Sequence, residues 1–275
     1  MTRAKIIKSI GIYIFLGLLS LIIILPILHI VLSAFKTNAE IARMTIFPGS
    51  LYLKNFKTVF DNPYTLFAFF NSMILVVSSL FLIVIITSLA SYGLSRRKEK
   101  VFSVLYVVFL MAMIIPAVSS MVPLYKLISS LSLMDTRLSL ILIYTTSGIP
   151  MGILLYTSFT KTVPVSLDEA AMIEGCSYLT RFYQIIFPLL RPITASLIIM
   201  RLPAIWNDFM MPLLFIRDQW KKPITLVVYA FSWEHQQDFG AIFALLVMAM
   251  IPPIVFFMIG QRNIYKAIAA GAVKS

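Results

Sequence analysis

Residues 71–91 read NSMILVVSSLFLIVIITSLAS, a run of 21 residues without a charged side chain. An α-helix rises about 1.5 Å per residue, so about 20 predominantly apolar residues cross the hydrocarbon core of a bilayer. A helix in the core of a water-soluble protein seldom stays apolar over such a length. We therefore predict that this stretch is a membrane-spanning helix.

Five further stretches outside residues 71–91 are long and apolar enough to span a bilayer. The stretch 193–215 is the weakest candidate, because Arg201, Asn207 and Asp208 interrupt it. No internal repeat is visible that would indicate an array of small units. We expect one all-α membrane domain over residues 1–275. Its transmembrane helices, about six, are predicted at 10–33, 71–91, 102–123, 138–159, 193–215 and 239–259.

The composition of the 275-residue chain excludes a water-soluble domain. Hydrophobic residues make up 60% and charged residues 12%, and the mean hydropathy is +0.94, whereas a soluble domain carries about 25% charge. The net charge of +12 could suggest nucleic acid, but that requires basic residues clustered on one polar face. Here they lie in short groups between apolar runs. The single cysteine, Cys176, allows no intrachain disulfide.

The distribution of lysine and arginine among the predicted loops gives the orientation. With both termini cytoplasmic, the inner segments hold 13 of the 23 basic residues and the outer segments hold 9, with Arg201 inside a span. The tight turn from Arg96 to Lys100, with four basic residues, would be costly to translocate. We therefore place both termini in the cytoplasm.

The first stretch resembles a cleavable signal peptide in its basic start at Arg3, Lys5 and Lys8. Its apolar core is longer than the usual core of about 7–15 residues, and no small-x-small cleavage site follows. We expect a retained transmembrane helix.

The loop between the fourth and fifth spans, about residues 161–191, is the most informative part of the chain. A capping-box pattern from Ser166 to Glu169 predicts a helix start with Asp168 in its first turn. Gly175 is suited to end that helix in a left-handed turn, and Ser177 to cap a second helix. The apolar face of the second helix would carry Tyr178, Phe182, Ile185 and Ile186. Such a pair suits docking to another protein, although an ordinary interfacial amphipathic helix has the same shape.

The spacing within this loop carries a family resemblance. Glu169-Ala170-Ala171 is followed after three residues by Gly175, after nine more by Ile185, and after one more by Phe187-Pro188. This order resembles the EAA loop of binding-protein-dependent ABC importer permeases, with Phe187 where the family has leucine. Other segments resemble the carbohydrate-uptake branch, in particular subunits similar to the shorter maltose permease subunit, and extend the likeness over nearly the whole chain. They are residues 47–48, 53–56, 206–209, 261–262 and 270–274.

The resemblance implies a type I-like ABC importer fold and a permease that translocates a sugar or oligosaccharide across a prokaryotic plasma (inner) membrane. An extracytoplasmic sugar-binding protein would deliver the solute, and a homologous second permease would complete the pore. A pair of ATPase subunits would use ATP and Mg, while this chain would bind no cofactor and would not be an enzyme. The coupling residues implied are Glu169, Ala170, Ala171, Gly175, Ile185 and Pro188. The tail residues implied to contact the ATPase are Gly271 and Lys274.

Several other functions are disfavoured by what the sequence lacks. The chain has no Gly-x-x-x-x-Gly-Lys-Ser/Thr phosphate loop, so it is not the ATPase itself. His29 and His235 lie far apart in the sequence and have no cysteine nearby, which argues against a metal site. The remaining alternative is an ion-coupled carrier or a channel for a small polar solute. Carriers usually show acids at the midplane and paired half-helices, and neither is clear here.

Two ionisable residues inside the predicted spans, Arg201 and Asp208, are candidates for the solute path. They are seven residues apart, about two helical turns, and would share a helix face. Trp206 and Asn207 would offer a stacking face and an amide to sugar hydroxyls. The alternative is that these residues stabilise a helix end or a subunit interface.

Overall fold

The computed structural model describes residues 3–235 and 237–272, with side chains placed for residues 9–116, 118–235 and 237–260. Within these ranges every regular element is a helix. The α-helices are α1 (Arg3–Ser33), α2 (Asn38–Ala42), α3 (Lys54–Asp61), α4 (Pro63–Arg96), α5 (Lys100–Met111), α6 (Met121–Ser130), α7 (Arg137–Thr160), α8 (Ser166–Ile173), α9 (Tyr178–Arg181), α10 (Phe187–Leu189), α11 (Arg191–Trp206), α12 (Met210–Phe215), α13 (Ile224–Glu234) and α14 (Phe239–Ala272). Short 3-10 turns occupy Ala117–Ser120 and Gln219–Lys221, and a π-helix occupies Phe182–Ile186.

Four continuous helices among the described residues are long and apolar enough to cross a membrane. They are Ser9–Ser33 within α1, α4, α7, and Phe239–Gly260 within α14. A fifth candidate is a bent pair, Tyr178–Leu189 and Arg191–Trp206, whose two parts meet at 72°. Four of the predicted spans, 10–33, 71–91, 138–159 and 239–259, are therefore confirmed as continuous apolar helices.

The predicted spans 102–123 and 193–215 are not continuous helices. α5 ends at Met111, and Pro116 stands in extended backbone (ψ 130°) before the next 3-10 turn. Proline has no N–H to continue the hydrogen bonds of a helix, which accounts for a break in this region. The other predicted span divides between α11 and α12, because a polar turn around Asp208 separates them. The expectation of uninterrupted helices was wrong at these two places.

The described chain divides into two compact units. They comprise the chain up to residue 66 with 227–251, and residues 67–226 with the chain from 252 onward. The expectation of one membrane domain stays a prediction.

In the first unit, a buried amide fixes the start of α3 to the segment that leaves α1. Asn55 is only 3% exposed, and its Nδ2 donates to the carbonyls of Ala34 at 2.9 Å and Lys36 at 2.8 Å. Gly240 packs so closely on this amide that an added Cβ would collide with it. Because buried polar groups need hydrogen-bond partners, this arrangement sets the position of α3.

In the second unit, α4 and α7 pack closely through small residues. A Cβ at Gly148 would collide with Ile83, and a Cβ at Gly152 would collide with Thr87. Small residues of this kind bring transmembrane helices into van der Waals contact, where the hydrophobic effect contributes little to their association. α4 and α7 thus form the frame from which the loop 161–191 leaves the membrane helices.

Candidate coupling loop and solute cleft

The first helix of the loop, α8, begins without the predicted capping box. Its N-cap is Val165, in helical backbone (φ −65°, ψ −28°) and without a side-chain cap. The N–H of Asp168 already donates to the Val165 carbonyl at 2.9 Å. Ser166 therefore lies inside the helix, whereas a capping serine needs extended backbone. The prediction of a cap at Ser166 was wrong because the chain begins to wind before that residue.

The end of α8 is formed by Gly175, as predicted. Its φ is +79°, a left-handed conformation that glycine adopts without steric cost. The N–H of Gly175 donates to the Met172 carbonyl and the N–H of Cys176 to the Ala171 carbonyl, both at 3.0 Å. This pair of bonds is a Schellman motif, which satisfies carbonyls that a helix end otherwise leaves unpaired.

The second helix, α9, starts at the predicted serine. Ser177 is the N-cap, and its Oγ accepts the N–H of Thr180 at 3.2 Å. The predicted apolar face is confirmed at Phe182 and Ile186, which are 1% and 0% exposed, and Ile185 is half-buried. Its fourth member, Tyr178, is 39% exposed, so the prediction was wrong there. Phe182, Ile185 and Ile186 belong to the π-helix that joins α9 to α10.

The predicted coupling residues divide into an open and an inward group. Glu169, Ala170 and Gly175 are exposed, and nothing lies within 4 Å of a Cβ built on Gly175. Ala171 is only 2% exposed, and the last two of the set, Ile185 and Pro188, are half-buried. The exposed group offers a surface to another protein, and its role in coupling stays a prediction.

An ion pair that the sequence did not reveal anchors α8 to the end of α4. Arg96 Nε lies 2.8 Å from Asp168 Oδ2, and the two side chains are only 12% and 8% exposed. The other carboxylate oxygen accepts the Tyr92 hydroxyl. The remaining guanidinium nitrogens donate to the carbonyls of Thr160 at 3.3 Å and Val163 at 3.0 Å. Every charge in this cluster is paired, as burial requires.

The ring of Tyr92 extends the anchor to α9. Its centroid lies 4.8 Å from the ring of Tyr178 and 5.5 Å from that of Phe182. One residue at the end of α4 therefore contacts both helices of the loop, by its hydroxyl and by its ring. Little in the sequence indicated this anchor. Tyr92 and Arg96 share a helix face because they are four residues apart, but Asp168, which binds both, lies 72 residues beyond Arg96.

Arg201 lines a cleft in the second unit. The cleft has a volume of about 660 Å³ and is lined by residues of α7, α11, α12 and the segment from Ala112 to Leu124. Arg201 Nη2 donates to the Oγ of Ser147 on α7 at 2.8 Å. This residue therefore lines an open cleft, and its place on a solute path stays a prediction.

Asp208 does not share a helix face with Arg201, because α11 ends at Trp206. Its carboxylate accepts the Tyr144 hydroxyl at 2.8 Å and the N–H of Met210, at the start of α12, at 3.1 Å. The prediction of a common face was wrong. The alternative, that the acid stabilises a helix end, is what the structure shows.

Trp206 and Asn207 do not line the cleft either. Trp206 is 2% exposed, and its ring centroid lies 6.4 Å from that of Phe69, so it has no open face for a sugar. Asn207 is exposed and forms the C-cap of α11. The pattern from 206 to 209 thus builds a turn between two helices, because its polar groups replace the hydrogen bonds of the helix.

Of the predicted tail contacts, Lys274 lies outside the described residues. Gly271 belongs to α14, which ends at Ala272, in the part whose side chains are not described. Among the described residues, no group of three His, Cys, Asp or Glu side chains could hold a metal ion.

Comparison with known proteins identifies the family of the chain. Residues 83–270 match the family model described as "Binding-protein-dependent transport system inner membrane component". The chain is 37% identical over 262 residues, 94% of its length and 95% of the relative's, to the probable starch degradation products transport system permease protein of Thermoanaerobacterium thermosulfurigenes. It is 33% identical over 251 residues, 91% of each chain, to the melibiose/raffinose/stachyose import permease protein of Bacillus subtilis.

A solved structure shows the same fold. The crystal structure of a bacterial ABC transporter involved in alginate import matches with a TM-score of 0.85 and 18% identity, over 96% of this chain and 99% of that one. At this identity the likeness shows the fold alone, and it confirms the predicted ABC importer permease fold. The family match sets aside the ion-coupled carrier. The chain belongs to the family of binding-protein-dependent transport system inner membrane components.

Proposed function

We propose that the protein is the permease subunit of an ATP-driven importer that translocates a sugar or oligosaccharide delivered by an extracytoplasmic binding protein. The observation that carries this proposal is the similarity over more than nine-tenths of the chain to two permeases whose names specify saccharides. As an inner membrane component of a transport system, the chain is not an enzyme. A homologous second permease and a pair of ATPase subunits, which use ATP and Mg, complete the importer.

The loop 161–191 is suited to transmit movement because it joins the two helices that contribute most to the cleft. It begins directly after α7 and ends where α11 starts, and both helices line the cleft at Arg201. Glu169, Ala170 and Gly175 form the exposed surface on which an ATPase subunit would act. The Arg96–Asp168 pair ties α8 to the end of α4. A displacement of α8 by the ATPase would therefore also displace α4, which packs against α7.

Reconstitution tests the function directly. In proteoliposomes, this chain with its second permease, the ATPase pair and the loaded binding protein is expected to accumulate saccharide on addition of ATP. The isolated chain is expected to show no ATP hydrolysis, because it has no phosphate loop. Hydrolysis by the isolated chain, or uptake driven by an ion gradient without the ATPase, would contradict the proposal.

The proposed topology places Asp61 outside and Lys98 inside, at opposite ends of α4. This helix has 34 residues, a length of about 51 Å, which exceeds the hydrocarbon thickness. In a Cys176→Ser background, a membrane-impermeant maleimide added to intact cells is expected to label Asp61→Cys and to label Lys98→Cys only after permeabilisation. Labelling of both positions in intact cells would refute the orientation with cytoplasmic termini.

A further inference from the structure

The guanidinium of Arg201 is only partly satisfied by the chain. Its Nη2 has the bond to Ser147 Oγ at 2.8 Å, but its Nε is buried and has no hydrogen-bond partner in the part of the chain that the structure describes. An unmet donor on a charged group carries a free-energy cost. The Ser147 hydroxyl neutralises none of the charge, so the position favours a negatively charged acceptor in the cleft beside the guanidinium.

No acidic side chain is among the residues that line this cleft. Asp208, the nearest acid along the sequence, is occupied by Tyr144 and by the start of α12. A cation in a membrane span is normally paired with an acid or lies along a solute pathway. Within the described residues, the charge of Arg201 has no counter-ion.

Two hydroxyl groups that line the cleft are oriented as acceptors. Ser147 Oγ donates to the Tyr144 carbonyl at 3.0 Å, which leaves its lone pairs for Arg201. Thr146 Oγ1 shares its proton between the carbonyls of Leu142 at 2.9 Å and Ile143 at 3.0 Å, so its free lone pair can accept from a solute hydroxyl. The cleft thus combines one cation with acceptor groups on largely apolar walls.

The size and depth of the cleft suit a small polar solute. Its volume of about 660 Å³ falls in the range of small-molecule sites, roughly 300–1,000 Å³. Arg201 is ten residues beyond the start of α11, about 15 Å along the helix from the end of the loop 161–191, so the cleft lies among the apolar helices and away from the loop.

We infer that this cleft takes a saccharide that carries an acidic group, such as a uronic acid, with the Arg201 guanidinium as its counter-ion. The inference rests on the proposed function and narrows its substrate class. Thr146 accepts a neighbouring hydroxyl of the same solute, and Ser147 holds the guanidinium in place. If an acidic residue of the second permease holds this position instead, Arg201→Gln weakens the association of the two permeases.

The test uses the complete importer with its binding protein in proteoliposomes, and compares uptake of a uronate-containing oligosaccharide with uptake of its neutral counterpart. We expect the wild-type complex to transport the acidic form. Arg201→Gln should lower the ratio of acidic to neutral uptake about tenfold or more, because a charge-assisted hydrogen bond is lost. Arg201→Lys should restore much of the ratio. Arg217→Gln removes the same charge at an exposed loop position and should leave the ratio unchanged.

Three outcomes would overturn the inference while leaving the proposed function intact. One is transport of neutral saccharides only by the wild-type complex. Another is a ratio that Arg201→Gln does not change. The third is loss of co-purification of the two permeases in Arg201→Gln, which would assign the guanidinium to a subunit interface. If instead the complete complex moves no saccharide of either charge, the proposed function itself fails.

Discussion

Asp168→Ala is expected to release the loop 161–191 from α4 and to abolish most of the transport. The substitution leaves Arg96 buried without its acid, and removing one partner of a buried ion pair costs about 3–5 kcal/mol. Limited proteolysis measures the release: cleavage after Arg181, which is half-buried, should accelerate roughly 100-fold, as about 3 kcal/mol implies for a local opening equilibrium. Uptake of saccharide by the complete importer should fall as cleavage of the loop accelerates.

Matched variants separate anchoring from simple loss of charge. Glu169→Gln removes the same charge one residue along the chain at an exposed position, so it should leave the cleavage rate unchanged. The double variant Arg96→Met/Asp168→Leu should recover part of the protection, since replacing a whole buried pair by apolar residues is often neutral. Unchanged cleavage in Asp168→Ala would show that the ion pair does not hold the loop.

Gly175→Leu is expected to abolish coupling while the chain remains folded. A leucine cannot keep φ at +79° without about 1–2 kcal/mol of backbone strain, and any other φ redirects the chain between α8 and α9. No neighbour lies within 4 Å of the new Cβ, so the thermal stability of the isolated chain should change little. Uptake and the ATP hydrolysis stimulated by the loaded binding protein should each fall about tenfold or more.

Gly175→Asn distinguishes the two reasons for a glycine at this position. Asparagine tolerates the left-handed conformation better than other residues, so it should retain most of the uptake if backbone geometry is what matters. If asparagine is as harmful as leucine, the ATPase subunit approaches the glycine too closely for any side chain. Normal uptake in Gly175→Leu would remove this loop from the coupling mechanism.

The parts of the fold that the sequence predicts depend on local physics. Residues 71–91 must be a membrane helix because of their length and apolarity. Gly175 and Ser177 act within one helical turn of their own positions, through a left-handed φ and a side-chain cap. Each of these features is determined by a few neighbouring residues, and each is found in the structure where it was expected.

The features that the sequence did not predict depend on distant or competing contacts. The Arg96–Asp168 pair joins residues 72 positions apart, and nothing in their own surroundings links them. Ser166 has the right residue type for a cap, but helical backbone that begins at Val165 prevented it. Trp206 has the right chemistry for stacking on a sugar, but packing against its own chain buried it. Residue type indicated a role only for Ser166 and Trp206, and tertiary position decided all three.

The π-helix at Phe182–Ile186 lets this segment carry one residue more than regular winding would hold. The N–H of Phe187 donates to the carbonyl of Phe182, five residues back, so this turn holds more residues than an α-helical turn. Each residue of an α-helix turns the chain by about 100°, and the wider turn absorbs the extra residue without that rotation. Deleting one residue here would therefore convert the turn to regular winding and leave α9 and α11 in nearly the same relative orientation. Inserting a further residue has no such outlet and would rotate α9 relative to α11, so this turn tolerates a loss better than a gain.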